Sequence, residues 1–115
     1  MLTFLDFQRK NEKRCVEGFK HNLQDWSLME WCGAATFEYG EAGNKAKKIK
    51  RVDQNIKGNK AGETRANLTE DMAKEICDGI IYGFLTISAA GYDVEDLIRK
   101  VFNDKSDEIG SDIKV

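Results

Sequence analysis

The chain has 115 residues, 41% of them hydrophobic and 33% charged, with a net charge of −2 and no proline. That size is one domain with one modest core, here residues 1–115 as a single unit, and the mix is that of a soluble, helix-rich protein rather than a disordered or membrane-embedded one. A slightly acidic chain carries no global basic field, so nucleic acid is not an expected partner.

The opening, MLTFLDFQRK, sets Asp6 inside its only apolar run, too short and too polar for a signal peptide or a membrane span. Residues 3–20 read as a first helix, with Phe4, Phe7, Cys15 and Phe19 at roughly helical spacing. Residues 21–27 read as a connector. Ser27-Leu28-Met29-Glu30 matches a capping box and opens a second helix that runs to about Arg51, with Leu28, Trp31, Ala34, Ala35 and Ala42 on its apolar face. Residues 52–68 hold two glycines and almost no large apolar residue, the composition of a long surface loop. Thr69 is a good N-cap for a third helix, with Glu70 and Asp71 in its first turn. That helix carries Met72, Ile76, Ile80, Ile81, Phe84 and Leu85 and is apolar over much of its circumference. Gly91 suits its C-terminal stop, and Asp93 caps a fourth helix with Val94, Leu97, Ile98, Val101, Phe102 and Ile109 on its buried side, ending at Gly110. The expected fold is all-α, a four-helix bundle. A monomer of this size would struggle to cover so apolar a third helix, which favours a homodimer or homotetramer. The three cysteines, Cys15, Cys32 and Cys77, lack CxxC spacing and suit buried or free thiols in a reducing cytoplasm.

Two acidic pairs stand out: Glu38 with Glu41, and Glu75 with Asp78. Residues three apart share one helical face. Two such helices packed together would converge four carboxylates, which repel one another unless a cation intervenes. Hard oxygen ligands of this kind suit Mg²⁺ or Mn²⁺, and Mg²⁺ is usually shared with substrate phosphates. Singly, such pairs are common on solvated faces. The second pair, however, lies in the most apolar helix, where a purely solubilising face is narrow. The basic run Lys45, Lys47, Lys48, Lys50 and Arg51 sits at a helix C-terminus, where it also pairs with the helix dipole. Trp26 and Trp31 are more often core residues than base platforms, and Tyr82 divides evenly between core and ligand. The one histidine, His21, belongs to no acid motif, which argues against a di-iron centre. Cysteine spacing argues against zinc. No GxSxG and no P-loop appears.

In order, the chain shows Glu38-Tyr39-Gly40-Glu41 followed by Asn44 and the Lys47-Lys48 pair, then Glu75-Ile76-Cys77-Asp78 with Tyr82 one turn on. Lys100 and Asn103 follow in the last helix. Over about residues 26–112 this set resembles the MazG-like, all-α nucleotide pyrophosphohydrolase superfamily, which includes the dimeric dUTPases and dCTP pyrophosphatases. The resemblance implies Mg²⁺ (or Mn²⁺) held by Glu38, Glu41, Glu75 and Asp78. It implies triphosphate contacts from Lys47 or Lys48, Lys100 and Asn103, and Tyr82 and Trp26 beside the base or sugar. The chain departs from that pattern in its long interval between Glu41 and Glu75 and in Gly79, where a bulkier aliphatic residue is usual.

The implied reaction is hydrolysis of a nucleoside or deoxynucleoside triphosphate to the monophosphate and pyrophosphate, with Glu38 or Glu41 activating water. The alternative is a non-enzymatic helical interaction or oligomerisation protein whose acids are merely solvated.

Overall fold

A computed structural model describes residues 1–115. The protein is all-α: α1 spans Phe4–Glu17, α2 Leu28–Asp53, α3 Arg65–Ala89 and α4 Val94–Glu108, with one 3-10 turn at Leu23–Asp25 and no strand. No helix is long and apolar enough to cross a membrane. The residues form two compact units, one of residues 1–28 with 84–115 and the other of residues 29–83.

In the first unit, α1 begins where Thr3 Oγ1 accepts the Asp6 N–H at 3.1 Å. Its buried residues are Gln8, Asn11 and Cys15, a mostly polar stripe at helical spacing. The apolar stripe read from the sequence is displaced accordingly: Phe4 and Phe19 are exposed, although Phe4 and Phe7 both reach the buried Phe84 ring, at centroid distances of 6.0 and 4.9 Å. Gln8 explains the polar choice. Its Nε2 donates to Ser88 Oγ at 3.0 Å and to the Tyr92 carbonyl at 2.9 Å, and its Oε1 accepts the Val94 N–H at 2.8 Å. One side chain thus ties α1 to the end of α3 and the start of α4, where Gly91 takes a positive φ of 88° to turn the chain. Asp93 caps α4 through a 2.9 Å bond from the Asp96 N–H, as its position in the sequence predicts. Val94 is fully buried, but Val101, Phe102 and Ile109, expected on the buried side of α4, are exposed.

Around Cys15 the chain closes a tight turn. The thiol donates to the His21 carbonyl at 3.1 Å, and the His21 N–H donates to the Cys15 carbonyl at the same distance. Burial, and then the nearby Asp25 charge, push the Cys15 thiol above its ordinary pKa, so it stays protonated and inert. Cys32 and Cys77 are exposed free thiols.

In the second unit, α2 and residues 65–83 of α3 form an antiparallel hairpin. Trp31, buried, meets Tyr82 at a ring distance of 6.4 Å near one end. Lys48 meets Glu63 at 2.7 Å near the other. Ala42 and Leu68 are buried between these points. Two sequence expectations are corrected here. The third helix starts at Arg65, four residues before Thr69, because Thr64 takes the capping role: its Oγ1 accepts the Asn67 N–H at 3.2 Å. Thr69 lies inside the helix, its hydroxyl bonded back to the Arg65 carbonyl at 2.7 Å. The connector is therefore residues 54–64 rather than 52–68, and Leu68, expected in the loop, is one of the most buried side chains.

The two helices approach closely at Gly79. A β-carbon there would lie 2.7 Å from Cε1 of Tyr39, so glycine is what lets the tyrosine ring rest on the α3 backbone.

Two stability measurements test these joints. Gln8→Leu should destabilise by about 1–3 kcal/mol in chemical denaturation, despite its greater hydrophobicity, because it strands the buried Val94 N–H. Gly79→Ala should cost about 1 kcal/mol in the native background, where overpacking outweighs helix propensity. In a Tyr39→Ala background it should instead stabilise by about 1 kcal/mol, the propensity gain alone. The same sign in both backgrounds would show that the Tyr39 contact does not set the approach.

Candidate metal and phosphate site

The hairpin register brings one acidic pair to the other. Carboxylate oxygens of Glu38, Glu41 and Glu75 all lie within 4.8 Å of one another. Glu38 and Glu41 share a face of α2 because they are three residues apart, and Glu75 comes across from α3. Glu38 and Glu75 are half-buried and Glu41 is exposed. Asp78, the fourth acid of the sequence pattern, is exposed and outside this group of three, though its charge still reaches Glu41.

The electrostatics register the crowding. Glu41 is raised above its ordinary pKa, chiefly by its hydrogen bond with Glu75 and then by the charge of Glu75. Partial desolvation and a smaller repulsion from Asp78 add to this, and a hydrogen bond with Glu38 works the other way. A shared proton or a cation would relieve the repulsion between such neighbouring carboxylates. A set of hard oxygen donors drawn from two helices, with one member already straining toward neutrality, fits a divalent cation such as Mg²⁺ or Mn²⁺.

Beside the cluster runs an open groove lined by Phe37, Gly40, Glu41, Asn44, Lys45 and Glu75. Lys45 is the cation the sequence reading passed over in favour of Lys47 and Lys48. One turn along α2 from Glu41, it faces Asp71 at 3.9 Å. The signal was there in the spacing: Asn44 and Lys45 follow Glu41 by three and four residues, on the same face. Lys47 is exposed. Lys48 is held by Glu63, whose other oxygen accepts the Lys60 N–H at 2.6 Å. Asn59 Nδ2 donates to the Lys48 carbonyl at 2.9 Å, and Arg65 Nε to Asp53 at 2.8 Å. These bonds fold residues 54–64 back onto the hairpin end. Lys48 foremost, with the Lys60 N–H, holds Glu63 below the ordinary carboxylate pKa, so its contribution is present above that range and is lost as pH falls through the lowered value.

Tyr82 is half-buried against Trp31. The remaining sequence candidates belong to the first unit. Trp26 is half-buried with its ring edge-on to His21 at 4.7 Å. Lys100 is exposed and pairs with Asp104 at 2.5 Å, which raises its pKa. Asn103 exchanges two bonds with Val115, donating to its carbonyl at 3.0 Å and accepting its N–H at 2.9 Å.

No protein-family model, curated protein or solved structure matches the chain.

The raised Glu41 fixes the sign of a pH test. Its contribution to stability is complete below the ordinary carboxylate pKa and is lost as pH rises through the raised folded value. At neutral pH without metal, Glu41→Gln should therefore melt above the native chain. Added Mg²⁺ should raise the melting temperature of the native chain and leave that of Glu41→Gln unchanged. Equal responses in calorimetry would remove Glu41 from the cation site.

Proposed function

We propose that the chain is a Mg²⁺-dependent nucleoside triphosphate pyrophosphohydrolase of the MazG-like, all-α kind. The observation that carries this reading is the convergence of Glu38, Glu41 and Glu75 from two helices beside a groove that also holds Lys45. A divalent cation held by Glu38, Glu41 and Glu75, with Asp78 at its edge, would neutralise phosphate charge and lower the pKa of a water.

The chain's own residues supply the rest. Lys45 draws the polyphosphate along the groove and offsets the charge of the departing pyrophosphate. Glu41, the exposed member of the Glu38–Glu41 pair, orients the attacking water and accepts its proton. The water oxygen bonds to the α-phosphorus as the bond from that phosphorus to the bridging oxygen breaks. Pyrophosphate leaves with the electron pair, and the nucleoside monophosphate remains.

The apolar residues left exposed on one chain, Ile76 and Ile80 of α3 and Val101 and Phe102 of α4, favour a homodimer or homotetramer. The same exposure favours the second reading, a helical interaction or oligomerisation protein without catalysis. The free thiols fit a cytoplasmic setting.

Pyrophosphate release from the common NTPs and dNTPs, with and without Mg²⁺, separates the two readings. Glu38→Gln and Asp78→Asn should each lower turnover, the former by about 100-fold or more, while keeping the helical content. Oligomers of native mass with no pyrophosphate release from any nucleotide would favour the interaction protein.

A further inference from the structure

The groove on α2 has a direction. Phe37 stands at one end and Lys45 at the other, with Glu41 between them and Glu75 across from it. Positions 37, 41, 44 and 45 lie along one helical face, and the eight residues from Phe37 to Lys45 span about 12 Å. Phe37 is 75% exposed, so an apolar ring of the groove wall is held in water rather than in the core. Gly40, one turn beyond Phe37, also lines the groove. A β-carbon there would meet no atom within 4 Å, in contrast to Gly79, whose space the Tyr39 ring fills. Gly33 and Gly43 of α2 are equally uncrowded, and Gly40 is the one of the three that lines the groove. What it does is leave the groove floor open between the ring and the carboxylates.

We propose that this groove binds its ligand in one orientation, with an aromatic base stacked on Phe37, the α-phosphate at the carboxylate cluster and the β- and γ-phosphates at Lys45. Phe37 is thus a substrate-binding residue, distinct from Tyr82, whose ring lies against the buried Trp31. The spacing fits this order. The single turn from Phe37 to Glu41, about 6 Å, suits a sugar, and the next turn brings the lysine to the phosphates beyond it. The order also explains which bond breaks: the carboxylates reach the α-phosphorus while the lysine holds the leaving pyrophosphate. The inference rests on the proposed pyrophosphohydrolase reading and adds to it the element that senses the base.

The test compares two probes by titration calorimetry in Mg²⁺: a nucleoside triphosphate with a non-hydrolysable α,β-imido bridge, and inorganic tripolyphosphate, which has no base. The native chain should bind the nucleotide more tightly. Phe37→Ala should weaken the nucleotide by about tenfold, the scale of one base–aromatic stack, and leave tripolyphosphate unchanged. Lys45→Ala should weaken both probes alike. Gly40→Leu should melt at or above the native temperature yet weaken both, because its side chain occupies the floor. Unchanged nucleotide affinity in Phe37→Ala would overturn the orientation, and a simultaneous fall in oligomeric mass would assign the ring to a subunit interface. Equal weakening of both probes in Phe37→Ala would also overturn it, reducing Phe37 to a structural role. If the native chain binds neither probe, the pyrophosphohydrolase reading falls, and the orientation with it.

Discussion

The second unit is built around a repulsion. Glu41 and Glu75 are held in hydrogen-bonding contact, with Glu38 close by, and left alone they would drive the helices apart or take up a proton. The hairpin prevents the first outcome by fixing both flanks of the cluster. Toward one end the Tyr39 ring lies on the bare backbone of Gly79, and Trp31 is buried against Tyr82. Toward the other, Leu68 is buried and the connector is bonded back through Glu63, Lys48 and Asn59. The backbone positions of the three glutamates are set by these flanking regions. A shared proton or a bound cation would relieve the repulsion between them. The packing of the unit thus brings together groups whose charges repel.

The first unit rests on a different principle. Its central tie is polar, with Gln8 bonding three partners at once, of which the Val94 N–H is buried. An apolar side chain there would bury more oil-like surface but leave a donor, an acceptor and a hydroxyl without partners. The glutamine also specifies geometry, since only one placement of α1 satisfies the Tyr92 carbonyl and the Val94 N–H together. With its buried stripe given over to Gln8 and Asn11, α1 contributes little apolar area to the unit. Its α3 and α4 segments bury only Phe84, Leu85 and Val94 among their large apolar side chains and leave Val101, Phe102 and Ile109 exposed.

Much of this was legible in the sequence, and the failures have identifiable physical causes. Absence of proline and the recurrent apolar spacing give four helices, and Asp93 and Gly91 mark their boundaries because capping and positive φ are local demands. The acidic pairs were legible because i,i+3 spacing fixes a face regardless of partner. The start of α3 was misplaced because Thr64 and Thr69 are equally good caps in isolation. Leu68 decides between them: only the earlier start turns it into the core, a tertiary preference that no local rule contains. The stripe of α1 was misread because periodicity counts apolar residues, whereas the structure buries an amide with tertiary partners. Asp78 matched the pattern as well as Glu75, but face-sharing on one helix does not say which member reaches across to another. Lys45 was hidden in a run of five basic residues although its spacing of four from Glu41 marks it, and the hairpin register adds that Lys48 is clasped by Glu63 instead.

The composition of the cluster bears on how a substrate would be recognised. Mg²⁺ prefers six oxygen neighbours and is reluctant to give up all its water, and proteins usually hold it through few carboxylates and share the rest with phosphate. Three converging carboxylates leave coordination positions for phosphate oxygens and water, while a fully enclosing set would not. With Asp78 outside the group of three, the site is incomplete in the sense that suits a shared ion. Lys45 stands one turn away, so any anion completing the shell would meet a cation from the protein as well. A surface of purely solvating acids would spread its charges as far apart as its helices allow. Here the two helices bring like charges together, beside an open groove and a lysine, and the proposed polyphosphate with its divalent ion would neutralise them.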